Sequence, residues 1–122
     1  MQDTTSMALT VVLRDQTFHL SEQQVAFDGP NYFTRTLERM SDLPVQQRKT
    51  FLDRNPQLFS VILEYLTGYV ILPLGSSAAP PSMTPEVALQ NLLEDAKFYQ
   101  LKGLERRISE WRNRSSFEYV VS

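Results

Sequence analysis

The run Phe51-Leu52-Asp53-Arg54-Asn55-Pro56-Gln57-Leu58-Phe59-Ser60-Val61-Ile62-Leu63-Glu64-Tyr65-Leu66-Thr67-Gly68 joins an apolar strand end to a capped amphipathic helix. Asn55 has the side chain of an N-cap, whose oxygen accepts from the orphan amides of a first helical turn. Pro56 follows at the first helical position, where its missing N–H costs nothing. Leu58, Phe59, Ile62, Leu63 and Leu66 recur at three- and four-residue steps and predict a wide apolar stripe. Gly68 suits the left-handed residue that closes a helix. Asp53 and Arg54 stand just before the cap, too early to pair along a helix surface. They form either a solvated turn with an ion pair of roughly 0–1 kcal/mol, or a device that orders the strand–helix corner or meets a neighbouring subunit.

One domain is all that 122 residues accommodate. A net charge of −2 gives no general attraction for phosphate backbones, which argues against nucleic acid as the main partner. Arg106, Arg107, Arg112 and Arg114 are the local exception. Glu105 and Glu110 lie among them, as on a solvated helix face. Cysteine is absent and histidine occurs once, which excludes disulfides, thiolate metal sites and a catalytic thiol. No stretch approaches the roughly 18 consecutive apolar residues of a membrane span. Residues 1–6 lack the basic-then-apolar order of a secretory signal. The chain reads as cytoplasmic or nuclear. Phe117 to Val121 resembles a strand beginning.

Leu9, Val11 and Leu13 alternate in a first strand, and Thr17 to Leu20 form the return strand after a polar break at Arg14-Asp15-Gln16. Ser21 and Gln24 have the spacing of a capping box. Asp28-Gly29-Pro30 ends that short helix, and Asn31 caps the next, with Phe33, Leu37 and Met40 on one face. Residues 42–49 read as polar loop, Thr50-Phe51-Leu52 as a short strand with Phe51 in the core, and Val70-Ile71-Leu72 as another short strand. Residues 74–83 read as a flexible connection without helical or strand period. Thr84, Pro85 and Glu86 open a helix with Leu89, Leu92, Leu93 and Ala96 on its buried stripe. A last helix carries Leu101, Leu104, Ile108 and Trp111. The order gives an α+β fold class with a small sheet. Open sheet edges must be covered or paired, and self-association is one way to do so.

No site chemistry stands out. His19 is alone on a strand, four scattered glycines build no phosphate loop, and Glu94-Asp95 read as helix-surface carboxylates rather than a catalytic pair. The expected cofactor and metal complement is none, and an enzyme or small ligand-binding protein is a distant alternative. Tyr32, Tyr69 and Phe27, near turns, are candidate exposed contact residues.

Four segments, in the same order, resemble the BTB/POZ domains of the potassium-channel tetramerisation and KCTD type. They are Leu9 to Leu20; Asn31-Tyr32-Phe33; Phe51 to Gly68 with Leu72-Pro73 after it; and Leu92-Leu93-Glu94-Asp95-Ala96-Lys97-Phe98-Tyr99-Gln100-Leu101. The resemblance runs from Leu9 to Ile108 and is also similar in flavour to fungal KCTD-like proteins. It implies a BTB/POZ fold with a three-stranded sheet and about five to six helices over residues 9–112. A flexible N-terminus at 1–8 and a C-terminal extension or further element at 113–122 would flank it. It implies a homo-oligomer, a tetramer or pentamer, acting as scaffold or adaptor, with a cullin among the partners of such adaptors. A cation-channel tetramerisation domain is the alternative and would require membrane helices after Ser122. By motif, Asp53, Arg54 and Asn55 fall at or near the subunit interface. Leu13-Arg14-Asp15 stands where the family carries Gly-Gly. The zinc site of some channel domains needs cysteines that this chain lacks.

Overall fold

The computed structural model describes residues 7–121, with side chains through Arg114. The sheet has three strands, β1 (Met7–Leu13), β2 (Gln16–Ser21) and β3 (Lys49–Leu52), in the order β2-β1-β3. β1 pairs antiparallel with β2 and parallel with β3, so Val12 faces both Thr17 and Phe51 across the ladders. The hairpin turns through Arg14 and Asp15, and Arg14 takes a left-handed φ of 56°. A glycine would adopt that backbone freely; a side chain there costs about 1–2 kcal/mol.

Five α-helices are described: α1 (Glu22–Ala26), α2 (Tyr32–Arg39), α3 (Pro56–Leu66), α4 (Pro85–Phe98) and α5 (Lys102–Val121). Their starts follow the expected caps. The Ser21–Gln24 capping box is complete, and the Asn31 side chain accepts from the Phe33 and Thr34 amides. Asn55 accepts from Gln57 and Leu58, and Thr84 from Val87. Each such cap contributes about 1 kcal/mol. Gly68 ends α3 with φ 99°, as a helix-closing glycine should.

One side of the sheet and the inner faces of the helices enclose the core. Leu9, Val11, Leu13, Leu20, Phe33, Phe59, Ile62, Leu92, Tyr99, Leu104 and Ile108 are fully buried there. Phe59 of α3 packs edge-on to Phe18 at 5.0 Å, and Phe33 of α2 stacks on Tyr99 at 5.0 Å between ring centroids. This aromatic centre ties the sheet to α2, α3 and the end of α4. Fully burying one such side chain contributes roughly 1.5–3 kcal/mol.

Five expectations are corrected. Val70-Ile71-Leu72 forms no strand; it is irregular chain with no partner strand beside it among the described residues. The segment after Arg112 begins no strand, because α5 continues without a break through Val121. Extending a formed helix adds one hydrogen bond per residue fixed, which overrides the β preference of the Phe117–Val121 residues. Phe51 is not core but 72% exposed, because β3 alternates and turns Thr50 and Leu52 inward instead. Residues 74–83 are not a featureless connection, since Ala79 and Pro80 are buried and Ala79 packs with Leu58 and Ala88. Asp95 is no surface carboxylate but a buried one. Residues 42–49 also contain one 3-10 turn at Val45–Gln47. At the N-terminus, residues 7 and 8 already belong to β1, and residues 1–6 lie outside the described residues.

Candidate interaction surface

The strand–helix corner between β3 and α3 distributes its charges to two different partners. Asp53 meets Arg14 of the hairpin turn, with Oδ1 3.2 Å from Nε, and its side chain is 92% exposed. Arg54 turns inward: its guanidinium lies 3.1 Å from Asp95 Oδ1 and 3.9 Å above the Phe98 ring. The two residues therefore do not pair with each other. Asp53 links the corner to the β1–β2 turn through an exposed pair, and Arg54 ties it to α4 through a part-buried one. Asn55 spends its side-chain oxygen on the first turn of α3, at 2.8 and 3.0 Å from the Gln57 and Leu58 amides.

Asp95 gives the corner its electrostatic character. Burial pushes its carboxyl above the ordinary carboxylate value, the charge of Arg54 and its hydrogen bond pull it back, and Glu94 adds to the rise. Among the described residues only Oδ1 is satisfied, and Oδ2 is buried without a hydrogen-bond partner. One charge-assisted bond offsets only part of the desolvation of a carboxylate. The hydroxyl of Tyr99 is likewise buried and unpartnered, and burial followed by the Asp95 charge pushes its ionisation upward.

Of the other expected contact residues, Tyr32 is half-buried. Its ring packs on Phe98 at 5.5 Å and its hydroxyl lies 3.3 Å from Thr50 Oγ1. Phe98 thus lies between Tyr32 and Arg54, which brings these two expected residues into one neighbourhood. Phe27 is half-buried edge-on to Tyr65 at 5.2 Å. Tyr69 is 58% exposed but stands beyond the C-terminal end of α3. An eleven-residue helix separates it from Asn55, a rise of about 16 Å. The five residues Tyr32, Asp53, Arg54, Asn55 and Tyr69 therefore do not form one surface.

The exposed large hydrophobic side chain of this neighbourhood, Phe51, lies on the sheet. Register and alternation put Thr10, Val12, Thr17, His19, Lys49 and Phe51 on the face turned away from the core. Thr17, His19, Lys49 and Phe51 all stand in solvent, and His19 Nδ1 lies 3.2 Å from Thr10 Oγ1. A phenyl ring on the edge strand of an exposed sheet face, flanked by Lys49 and by the Arg14–Asp53 pair, has the make-up of a contact surface. Reading Phe51 as a core residue of the short strand Thr50-Phe51-Leu52 concealed it; the alternation into Asp53 was the signal that could have revealed it. Among the described residues no cluster of three or more His, Asp or Glu side chains is placed to hold a metal ion. Among them, too, no helix is long and apolar enough to cross a membrane.

No curated protein matches the chain. A family model does: the BTB/POZ domain matches residues 15–108, from the hairpin turn to the buried Ile108 of α5, and takes in β3, the corner and all of α3 and α4. The three-stranded mixed sheet with its five described helices is consistent with that fold. The chain therefore belongs to the BTB/POZ domain family, in its potassium-channel tetramerisation type, a family of oligomerisation and protein-interaction modules.

Proposed function

We propose that this domain is a homo-oligomerising scaffold or adaptor whose subunits meet through the open sheet face and the adjoining corner. The observation that carries this reading is the 72% exposure of Phe51 on a sheet face ringed by polar and charged side chains. Burying that ring against a second copy would contribute roughly 1.5–3 kcal/mol. A stable contact of about 800 Å² per subunit would take in Val12, Thr17, Lys49 and the Arg14–Asp53 pair together with the surface around them. In this reading Asp53 touches the neighbouring subunit. Arg54 and Asn55 hold the corner in shape from within, and Tyr32 supports them through Phe98.

An adaptor needs a second surface for its client, and a cullin is one client class that such domains serve. The same self-association would equally serve a cation-channel assembly domain. Binding of a purified cullin N-terminal domain to the purified chain tests the first role. Fluorescent tagging tests the cytoplasmic or nuclear placement. For self-association itself, static light scattering of wild type and Phe51→Glu is the test. An oligomer that Phe51→Glu converts to monomer supports the surface, and an oligomer indifferent to it removes the sheet face from the reading.

A further inference from the structure

A second exposed apolar patch lies at the far end of α3 and is not used by the subunit contact proposed above. Val70 is 84% exposed and Tyr69 58%. Beyond them the irregular segment runs against α5 and leaves two adjoining clefts. One, of about 40 Å³, is lined by Tyr65, Tyr69, Val70, Ile71, Leu72, Leu104 and Arg107. The other, of about 230 Å³, is lined by Leu72, Arg107, Glu110, Trp111 and Arg114. Leu72 and Arg107 belong to both, so the two form one groove, apolar at its Tyr69–Leu72 end and lined by charged side chains around Trp111 at the other.

The rim of this groove is basic. Between residues 102 and 114, α5 carries five cations, Lys102, Arg106, Arg107, Arg112 and Arg114, against two carboxylates, Glu105 and Glu110. Among the described residues none of the four arginines forms an ion pair. Arg107 lies over the Tyr65 ring at 5.9 Å, and Arg112 donates to Gln90 Oε1 at 2.7 Å. The whole chain has a net charge of −2, so this positive strip stands out against an acidic remainder. Guanidinium groups that outnumber the carboxylates around them, beside exposed apolar side chains, are suited to a partner that brings both anions and an apolar anchor.

We infer that the Tyr69–Leu72 segment and α5 form a docking groove for an acidic peptide segment of a partner protein. One or two of the partner's apolar side chains would seat against Val70, Leu72 and Trp111, and its carboxylates would meet Arg107 and Arg114. This rests on the interaction-module reading and names the kind of client it takes.

The test is selection of a random peptide display library on the purified wild-type chain. Trp111, the only tryptophan, reports occupancy by its emission in titrations with a selected tryptophan-free peptide. The expected result is enrichment of peptides with Asp or Glu around apolar anchors and a blue shift of Trp111 emission. Affinity should fall about tenfold or more in Val70→Glu and in the double variant Arg107→Glu/Arg114→Glu. Replacing the peptide's acids by lysines should restore binding to the double variant alone. These side chains are exposed or on the groove rim, so circular dichroism should show folded variants. Absence of enrichment, enrichment of basic or neutral peptides, or binding that survives the substitutions overturns the inference. Native mass spectrometry of the same samples separates the two readings. An oligomer without acidic-peptide binding defeats the groove alone, and a wild-type monomer defeats the module reading. Loss of oligomer in Val70→Glu would assign the groove to a second copy and overturn the inference as well.

Discussion

The hydroxyl of Tyr65 on α3 donates to Asp28 Oδ2 at 2.7 Å across 37 residues of sequence. The same carboxylate accepts from the Gly103 and Leu104 amides at 3.0 and 3.1 Å, and so caps α5 from a distant loop. Asp28 adopts φ 57°, the left-handed region that Asp tolerates better than most residues. Burial, then the hydrogen bond to Asp28, raises the ionisation of Tyr65 above the ordinary phenol value. One side chain therefore joins the end of α1, the last turn of α3 and the start of α5. Replacing Asp28 by Ala should destabilise the domain by about 2–4 kcal/mol, since hydrogen bonds to a charged acceptor are among the stronger ones. Urea unfolding measures it, and a loss under about 0.5 kcal/mol would contradict the shared cap.

Gly103 gives a second handle on the same junction. A Cβ added there would sit 2.9 Å from the Tyr65 hydroxyl and 3.0 Å from Asp28 Oδ2. Helix propensity alone would make Gly103→Ala favourable by about 1 kcal/mol. The crowding should reverse that sign. A melting temperature that rises on this substitution would show that the junction is looser than these distances.

The Tyr99 hydroxyl is buried with no partner among the described residues, while its ring stacks on Phe33. Tyr99→Phe keeps the ring and removes the unsatisfied group. Because such a group costs about 1–3 kcal/mol, the variant should be as stable as wild type or more so. Chemical denaturation decides it, and a loss of a full kilocalorie would show that the hydroxyl is satisfied in solution.

Asp95 predicts a pH dependence. Its carboxyl lies above the ordinary value of 3.8, mainly through burial and despite Arg54. A carboxyl raised on folding holds its proton more tightly in the folded state. Its stabilising contribution is complete below the unfolded value and is lost as pH rises through the folded one. The stability of wild type relative to Asp95→Asn should therefore fall from roughly pH 4 toward neutrality. Unfolding free energies of the two proteins across that range measure the trend. A difference that grows with pH would mean that the Arg54 pair outweighs desolvation.

Local features of this fold were legible in the sequence because their physics is local. The caps at Ser21, Asn31, Asn55 and Thr84 act within three residues, and each was read from spacing alone. The motif order likewise predicted the family and the three-stranded sheet. Contacts between distant residues were not legible. Arg54 reaches Asp95 across 41 positions and Gly103 reaches Asp28 across 75, and no periodicity encodes either. Short apolar runs misled in both directions. Val70-Ile71-Leu72 has strand composition but no partner strand, and Phe51 has core composition but faces out, because only tertiary context decides which face of a short strand is covered. At the site, the strand–helix corner and the Asn55 cap were legible. The division of Asp53 and Arg54 between two partners, and the distance of Tyr69 from them, were not.

Native mass spectrometry of the purified wild-type chain at tens of micromolar, at low and then high salt, tests the central claim most directly. The account predicts a closed homo-oligomer at low salt that loosens as salt screens the Arg14, Asp53 and Lys49 charges at the rim of the Phe51 face. A strict monomer under both conditions would contradict it.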